Sequence, residues 1–394
     1  MFKWTKIRRK LWRSTLNIQR GKRIVHALLL MGLCPLLWSC PDTTVPSIFA
    51  EGNRVCSQDE LDAFRELSTA NERYDLWIAF VDVGQGDATW IRTPGTRDLD
   101  AKEIIVDSGN CRIQDGSCGF DSQVNDSYDS DGVGALITFM RENGWTENNP
   151  IDYLVATHPD KDHYGGTWAL LREYRVDAFV ESGYPNENKT YHVALDAVRA
   201  EGATLLSPVT VTGLNSARSG EMNTESWGRN VEVSLLSADL SARQDNNSSV
   251  VLMVEYLGVK ILLTGDAEDP LDERLIELDD RQPGRLKANV LKAGHHAGNG
   301  TNSQAFLDRV FPSSLESTRQ RYAIISAGMR DQLPHPETLD RITSSVGPRG
   351  VYRTDRRDAE AGKNMATSPG DDHILMRVSA EGDLTVCYAY PSLD

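Results

Sequence analysis

One stretch constrains this chain more than any other: Thr157-His158-Pro159-Asp160-Lys161-Asp162-His163-Tyr164-Gly165-Gly166. It follows an apolar run, residues 152–156, that reads as a buried strand, and its paired glycines lead into helical spacing. Two histidines and two aspartates thus stand at one strand end. Imidazole and carboxylate together suit Zn²⁺, Mn²⁺ or Fe, and the charge of a two-metal centre tolerates this density of acids. A polar loop capping a helix is the plainer alternative, but packing needs explain this spacing poorly.

Three further runs have the same texture. Leu262-Leu263-Thr264-Gly265-Asp266 is an apolar strand running into a carboxylate able to bridge two metals, although Gly-Asp is also a common turn. Leu291-Lys292-Ala293-Gly294-His295-His296 ends in adjacent histidines, which seldom both pack in a core. His335 follows the expected strand at residues 322–325 and, taken singly, is as well explained as a loop histidine. The signal is the clustering: five of the eight histidines (His158, His163, His295, His296 and His335) lie just past expected strand ends.

Periodicity places those runs in an α/β body. Apolar runs predict strands at residues 76–81, 88–91, 103–106, 152–156 and 176–180, with helices at 58–67, 133–143 and 192–200 and one after Gly165. Residues 110–132 and 202–230 read as loops. The second half repeats the texture, with strands at 231–236, 250–256, 260–263, 288–292, 322–325, 350–353, 374–378 and 384–388. Helices at 271–278, 303–310 and 337–344 intervene. Strand clusters with helices in both halves fit two packed sheets with helices outside, a four-layer αββα sandwich. The expected division is a signal segment over 1–39, a tether with a short helix over 40–72, and one domain over 73–394.

Residues 1–39 hold nine Lys and Arg and no acid, ahead of an apolar stretch too short to span a bilayer. The stretch ends in Leu37-Trp38-Ser39-Cys40, which resembles a bacterial lipoprotein cleavage box. An exported, lipid-anchored protein of the periplasm or cell surface is the expectation; a plain signal peptide or an uncleaved anchor is the alternative. Removing that segment takes the formal charge from −15 to −24. So acidic a body repels polyanions, which argues against avid sequence-independent binding of long DNA. Cys56, Cys111, Cys118 and Cys387 then remain. Cys111 with Cys118 and Cys56 with Cys387 is one pairing; four free thiols is another.

The ordered set of motifs resembles the metallo-β-lactamase superfamily, and most of all the hydrolase-like domain of the competence protein ComEC and its stand-alone relatives. That group opens with Phe80-Val81-Asp82-Val83-Gly84-Gln85-Gly86-Asp87, followed by the strand end Asp107-Ser108-Gly109. Its metal motif places Asp160 where the wider superfamily has a second histidine. Asn246-Asn247-Ser248-Ser249, Leu-Thr-Gly-Asp and Lys-x-Gly-His-His continue the order, although Ala297-Gly298 stands where relatives have Gly-Ser. The channel portion of ComEC has no counterpart in these residues, so no transport role is carried over.

The resemblance implies two divalent metal ions, Zn or Mn, held by His158, Asp160, Asp162, His163, Asp266, His295 and His335. Asp162 also orients the attacking water, His296 acts as acid or oxyanion stabiliser, and Asn247 and Ser249 position substrate or brace the site. Asp82, Asp87 and Asp107 are expected to shape its rim. The activity implied is phosphodiester hydrolysis of a small phosphoester or short nucleic acid. Hydrolysis of a lactone or β-lactam is one alternative, and a metal-stabilised, non-enzymatic surface lipoprotein is another. No protein partner is expected.

Overall fold

The structure, a computed structural model, describes residues 53–97, 99–111, 113–114, 117–118, 132–207, 224–239, 241–313, 320–328, 332–357 and 370–390. The expected signal segment, Cys40 and the tether as far as residue 52 lie outside them. Among the described residues no helix is long and apolar enough to cross a membrane.

Two sheets carry the fold. The first contains β1 (Leu76–Phe80), β2 (Ala88–Arg92), β3 (Glu103–Ser108), β4 (Ile151–Ala156), β5 (Val176–Glu181) and β6 (Thr204–Leu206). The second contains β7 (Thr224–Ser226), β8 (Val231–Ser237), β9 (Val251–Tyr256), β10 (Val259–Leu263), β11 (Val290–Lys292), β12 (Tyr322–Ile325) and β13 (Val351–Arg353). The chain then returns to the first sheet with β14 (His373–Val378) and β15 (Leu384–Ala389). The strand orders are β6-β5-β4-β3-β2-β1-β14-β15 and β7-β8-β9-β10-β11-β12-β13. The ladders β3-β4-β5 and β10-β11-β12-β13 are parallel.

Side-chain alternation along each strand assigns the layers. In β1, Leu76, Ile78 and Phe80 point between the sheets, where they meet Val254, Ile261, Leu263 and Ile324. Trp77 and Ala79 point outward onto α1 (Gln58–Glu66), α2 (Gly132–Glu142), α4 (Thr167–Glu173) and α5 (Lys189–Glu201). The far face of the second sheet packs Met253, Leu262 and Leu291 against α6 (Asp269–Arg281), α7 (Gln304–Val310) and α8 (Pro336–Val346). Helix, sheet, sheet, helix is the four-layer αββα sandwich that the alternation predicts.

The body begins earlier than residue 73. Ser57 and Glu60 form a reciprocal capping box at the start of α1. The helix buries Phe64 completely, 5.3 Å from Trp90 and 5.7 Å from Trp77. Burying one such ring contributes about 1.5–3 kcal/mol. A disulfide joins Cys56 to Cys387. Residues 53–72, expected as tether, are therefore part of the domain. Cys111 is disulfide-bonded as well; the Cys118 side chain lies outside the described residues.

Other boundaries shift for local reasons. α5 starts three residues before the expected 192, because the Asn188 side chain caps it by accepting from Thr190 N at 3.0 Å. Residues 202–230, expected as loop, contribute β6 and β7, three-residue strands too short for alternation to reveal.

Candidate metal centre

The carboxyl ends of the parallel strands gather the site, where open α/β sheets place their ligands. Asp107 closes β3, Thr157 and His158 follow β4, Asp266 follows β10, and His295 and His296 follow β11. The short helix α3 (Lys161–Tyr164) turns Asp162 and His163 back toward the same point. Two glycines permit this closeness. A Cβ on Gly86 would collide with the Asp162 carbonyl, and one on Gly166 with the Ser108 carbonyl.

The half-buried His295 comes within 3.9 Å of Asp266 Oδ2 through Nε2, and three fully buried imidazoles converge on Asp266. Its Oδ2 lies 3.1 Å from His163 Nε2, 3.4 Å from His296 Nε2 and 3.9 Å from His158 Nε2. Each ring is held through its other nitrogen. His163 Nδ1 is 2.8 Å from Asp107 Oδ2, and His296 Nδ1 is 2.8 Å from the Ser326 carbonyl. His158 Nδ1 is 3.1 Å from Thr157 Oγ1, itself a donor to Asp107. The rings are fully or almost fully buried, yet all three Nε2 atoms and Asp266 Oδ1 lack a hydrogen-bond partner. Orphaned buried polar atoms are costly. Four of them aimed at one volume, each on a metal-ligating residue type, fit a bound cation.

The electrostatics agree. Burial alone would raise the Asp266 carboxyl, but His163 and His296 hold it well below the usual carboxylate range. Burial likewise opposes charge on His163 and His296, yet the facing carboxylates push both well above the ordinary imidazole value. A site that draws positive charge to those nitrogens accepts either a proton or a metal cation.

Expected site residues divide into three groups. His158, His163, Asp162 and Asp266 come together, and His296 joins them, with Nε2 3.4 Å from Asp162 Oδ2. Asp160 stands at the mouth, its carboxylate 41% exposed and 3.6 Å from His158 Nε2. His296, expected as acid or oxyanion stabiliser, takes the inner position, while His295, expected as a ligand, is 31% exposed with its Nε2 still 3.9 Å from Asp266 Oδ2. A run of positive φ values, 45° at His295 and 52° at His296, swings the first ring toward solvent and the second inward. His295 Nδ1 faces Glu268 at 3.2 Å on the wall of the cavity.

His335 is not brought into these groups. Its backbone starts α8, with N donating to the Ala297 carbonyl at 2.9 Å, and neighbouring Leu333 lines the cavity instead. Asn247 and Ser249 do not face the opening either. Both are buried, Ser249 Oγ accepting from Asp266 N at 3.1 Å and Asn247 Nδ2 donating to Glu268 at 3.1 Å. They position acids rather than substrate.

All three aspartates expected at the rim are interior, Asp107 as the partner of His163. Asp87 pairs with buried Lys292 at 2.7 Å and lies 3.5 Å from His296 Nδ1. Burial pushes its carboxyl up, but Lys292 and His296 outweigh that and lower it to about 2. Asp82 accepts backbone N–H groups from Gly84, Gly370, Asp371 and Asp372, tying the opening loop to the approach to β14. Sequence reading left Lys292 and Glu268 without a role. The signal for Lys292 was its place two residues before the histidine pair's glycine; Glu268, in an ordinary helix approach, offered none.

The cavity over the centre has a volume of about 530 Å³. Lys161 is the one Lys or Arg among its described lining residues, beside Gln85, Asp160, Asp162 and Asn299.

Comparisons with known proteins agree with this geometry. The chain is 28% identical over 261 residues to ComE operon protein 3 of Bacillus subtilis, covering 66% of this chain and 29% of that protein. It is 24% identical over 285 residues to Recombination protein 2 of Haemophilus influenzae, covering 71% and 27% respectively. A third match, competence protein ComA of Neisseria gonorrhoeae, is 33% identical over 113 residues, 28% of this chain and 14% of the relative. The chain thus spans under a third of the length of each of these curated relatives. The family model described as metallo-beta-lactamase superfamily matches residues 146–313, the span that holds α3, Asp266 and the histidine pair. With the four-layer sandwich and its strand-end cluster of His and Asp, this match means that the chain carries a metallo-β-lactamase superfamily domain.

Proposed function

We propose that the protein is an exported, metal-dependent phosphodiesterase acting on a small phosphoester or a short nucleic acid. The observation that carries this reading is the convergence of three imidazole Nε2 atoms, each fixed through its Nδ1 side, on the buried Asp266 carboxylate. His158, His163, Asp266, Asp162, Asp160 and His296 would hold two divalent ions, Zn or Mn. Bound there, such ions supply Lewis acidity and lower the pKa of water to near neutral.

The chain's own residues do the rest. Asp162, 27% exposed and open to the cavity, accepts the proton of the attacking water at an Oδ atom. The water oxygen bonds to phosphorus, the bond to the leaving oxygen breaks, and the His295 ring donates a proton to that oxygen. Glu268 favours the charged His295 ring: burial opposes the charge, but Glu268 raises its value above the ordinary one. Lys161 draws the anionic phosphoryl group to the mouth. A lipid anchor at Cys40 and delivery to the cell surface belong to this reading; paired cysteines in the domain suit an oxidising compartment.

The test is direct. The purified chain, its metal content determined, is assayed with Mn²⁺ and Zn²⁺ on a phosphodiester chromogen, single-stranded DNA and nitrocefin, beside Asp162→Ala and His163→Ala. Phosphodiester cleavage that both variants lose supports the reading. Nitrocefin turnover alone replaces it with carbonyl hydrolysis, and a two-metal protein inert on all three substrates points to a binding role.

A further inference from the structure

Among the described residues, four sets of three bring ligand atoms within 4.8 Å of one another at the centre. Two of them, His158-His163-Asp266 and Asp162-His163-His296, hold the groups that converge beneath the cavity. The other two, Asp87-Asp266-His296 and Asp87-Asp107-His163, share Asp87. Asp87 is 3% exposed and is not among the described residues that line the cavity. By donor chemistry all four sets suit a divalent ion.

Asp87 already holds a cation. Lys292 closes β11, and its Nζ lies 2.7 Å from Asp87 Oδ2 and donates to the Ala293 carbonyl at 2.8 Å. Both side chains are almost fully buried. Asp87 Oδ1 has no hydrogen-bond partner and lies 3.5 Å from His296 Nδ1. The backbone fixes where this carboxylate can reach: Asp87 N donates to the Asp162 carbonyl at 3.2 Å, and its carbonyl accepts from Gly109 N at 2.8 Å. A metal ion at Asp87 would draw on His163, His296 and Asp266, the groups that the ions beneath the cavity need. It would also sit where a substrate does not reach. An ammonium is bonded to the chain and offers no open coordination position, so it fills that place without competing for the rings.

We propose that Lys292 is a tethered stand-in for a metal ion: it occupies Asp87 and so confines divalent ions to the two sets beneath the cavity. This rests on the two-metal reading above and adds which position is closed to metal, and by what. Without the ammonium, Asp87 would be a buried carboxylate lacking its cation, and such a group must recruit another.

The full chain, freed of metal by a chelator, is titrated with Mn²⁺ and with Zn²⁺ at pH 8, where protons compete poorly for a carboxylate. Bound ions are counted after gel filtration. Two ions per chain are expected in the parent. Lys292→Ala removes the ammonium and opens its space, and it should bind one ion more. Asp87→Asn/Lys292→Ala should return to the parent count. Lys260→Ala removes a partly exposed lysine from the neighbouring strand β10 and should leave the count unchanged, which separates the effect from a general loss of positive charge. An unchanged count in Lys292→Ala overturns the assignment, as does an extra ion that survives Asp87→Asn. A parent that binds fewer than two ions refutes the two-metal reading instead, and the difference between parent and Lys292→Ala still decides this one. Should Lys292→Ala fail to fold even with Mn²⁺ present, Asp87→Asn decides: the lysine, left unpaired behind the rings, should weaken metal binding about tenfold or more. Unchanged affinity in that variant would show that Lys292 does not act on the centre.

Discussion

Asp107 illustrates how much of the centre rests on residues that touch no substrate. Its Oδ1 accepts from Thr157 N at 2.8 Å, and its Oδ2 holds both Thr157 Oγ1 and His163 Nδ1 at 2.8 Å. It therefore fixes His163 directly and His158 through Thr157, from a backbone with φ of 59°. Asp107→Asn keeps the shape and removes the charge that orients the imidazole. Metal affinity should fall about 10–100-fold, the usual effect of losing such a partner. Competition against a chelator of known affinity measures it, with circular dichroism confirming the fold; unchanged affinity would mean that Asp107 is structural only.

At the scale of elements, two ties join segments distant in the chain. The Cys56–Cys387 bond closes α1 and β15 across a sequence separation of 331 residues. Long loops gain most from closure, so Cys56→Ser should lower stability by about 2–4 kcal/mol in denaturant unfolding under oxidising conditions. In reducing buffer the difference should vanish. The second tie joins α6 to α7, where Asp272 Oδ2 accepts from Ser303 N at 3.0 Å. Burial raises the Asp272 carboxyl to about 8. A raised folded-state value means the native protein keeps a proton that the unfolded chain releases near pH 4. Its contribution is thus full in acid and is lost as pH rises through 8. The stability difference between the parent chain and Asp272→Asn should decline steadily from pH 5 to pH 8.5, as read by urea midpoints. A flat difference would show that the carboxyl ionises freely in the fold.

At the scale of the whole molecule, the proposed activity makes charge the control on substrate access. The chain carries −15 overall while its first 39 residues are strongly basic, so the body facing a substrate is more acidic still. Long polyanions meet that field over many phosphates, whereas a small phosphodiester meets it once. Raising salt from about 20 to 150 mM shortens the Debye length from roughly 20 Å to 8 Å. The specificity constant on long single-stranded DNA should therefore rise several-fold over that range, and that on a small chromogenic diester should hardly change. A fall with salt for the long substrate would instead reveal a basic track on the surface.

Local chemistry was readable wherever a residue's meaning depends on its immediate neighbours. Strand alternation in Leu76–Phe80, the apolar runs into Asp266 and His295, and the spacing of His158 to His163 each report a short-range rule, and they define both layers and most of the centre. Sequence order could not decide which of two adjacent histidines turns inward, because that depends on a backbone turn enforced by packing around Ala297 and Ser326. Nor could it reveal that the His335 backbone opens a helix, that Asn247 and Ser249 are buried behind Asp266, or that Lys292 neutralises Asp87. Those outcomes rest on contacts between strands distant in the chain. Sequence by itself determined the kinds of group present and the strand ends that carry them. Only the tertiary structure decided which groups meet, since partner and burial, not residue type, fix what an imidazole or carboxylate can do.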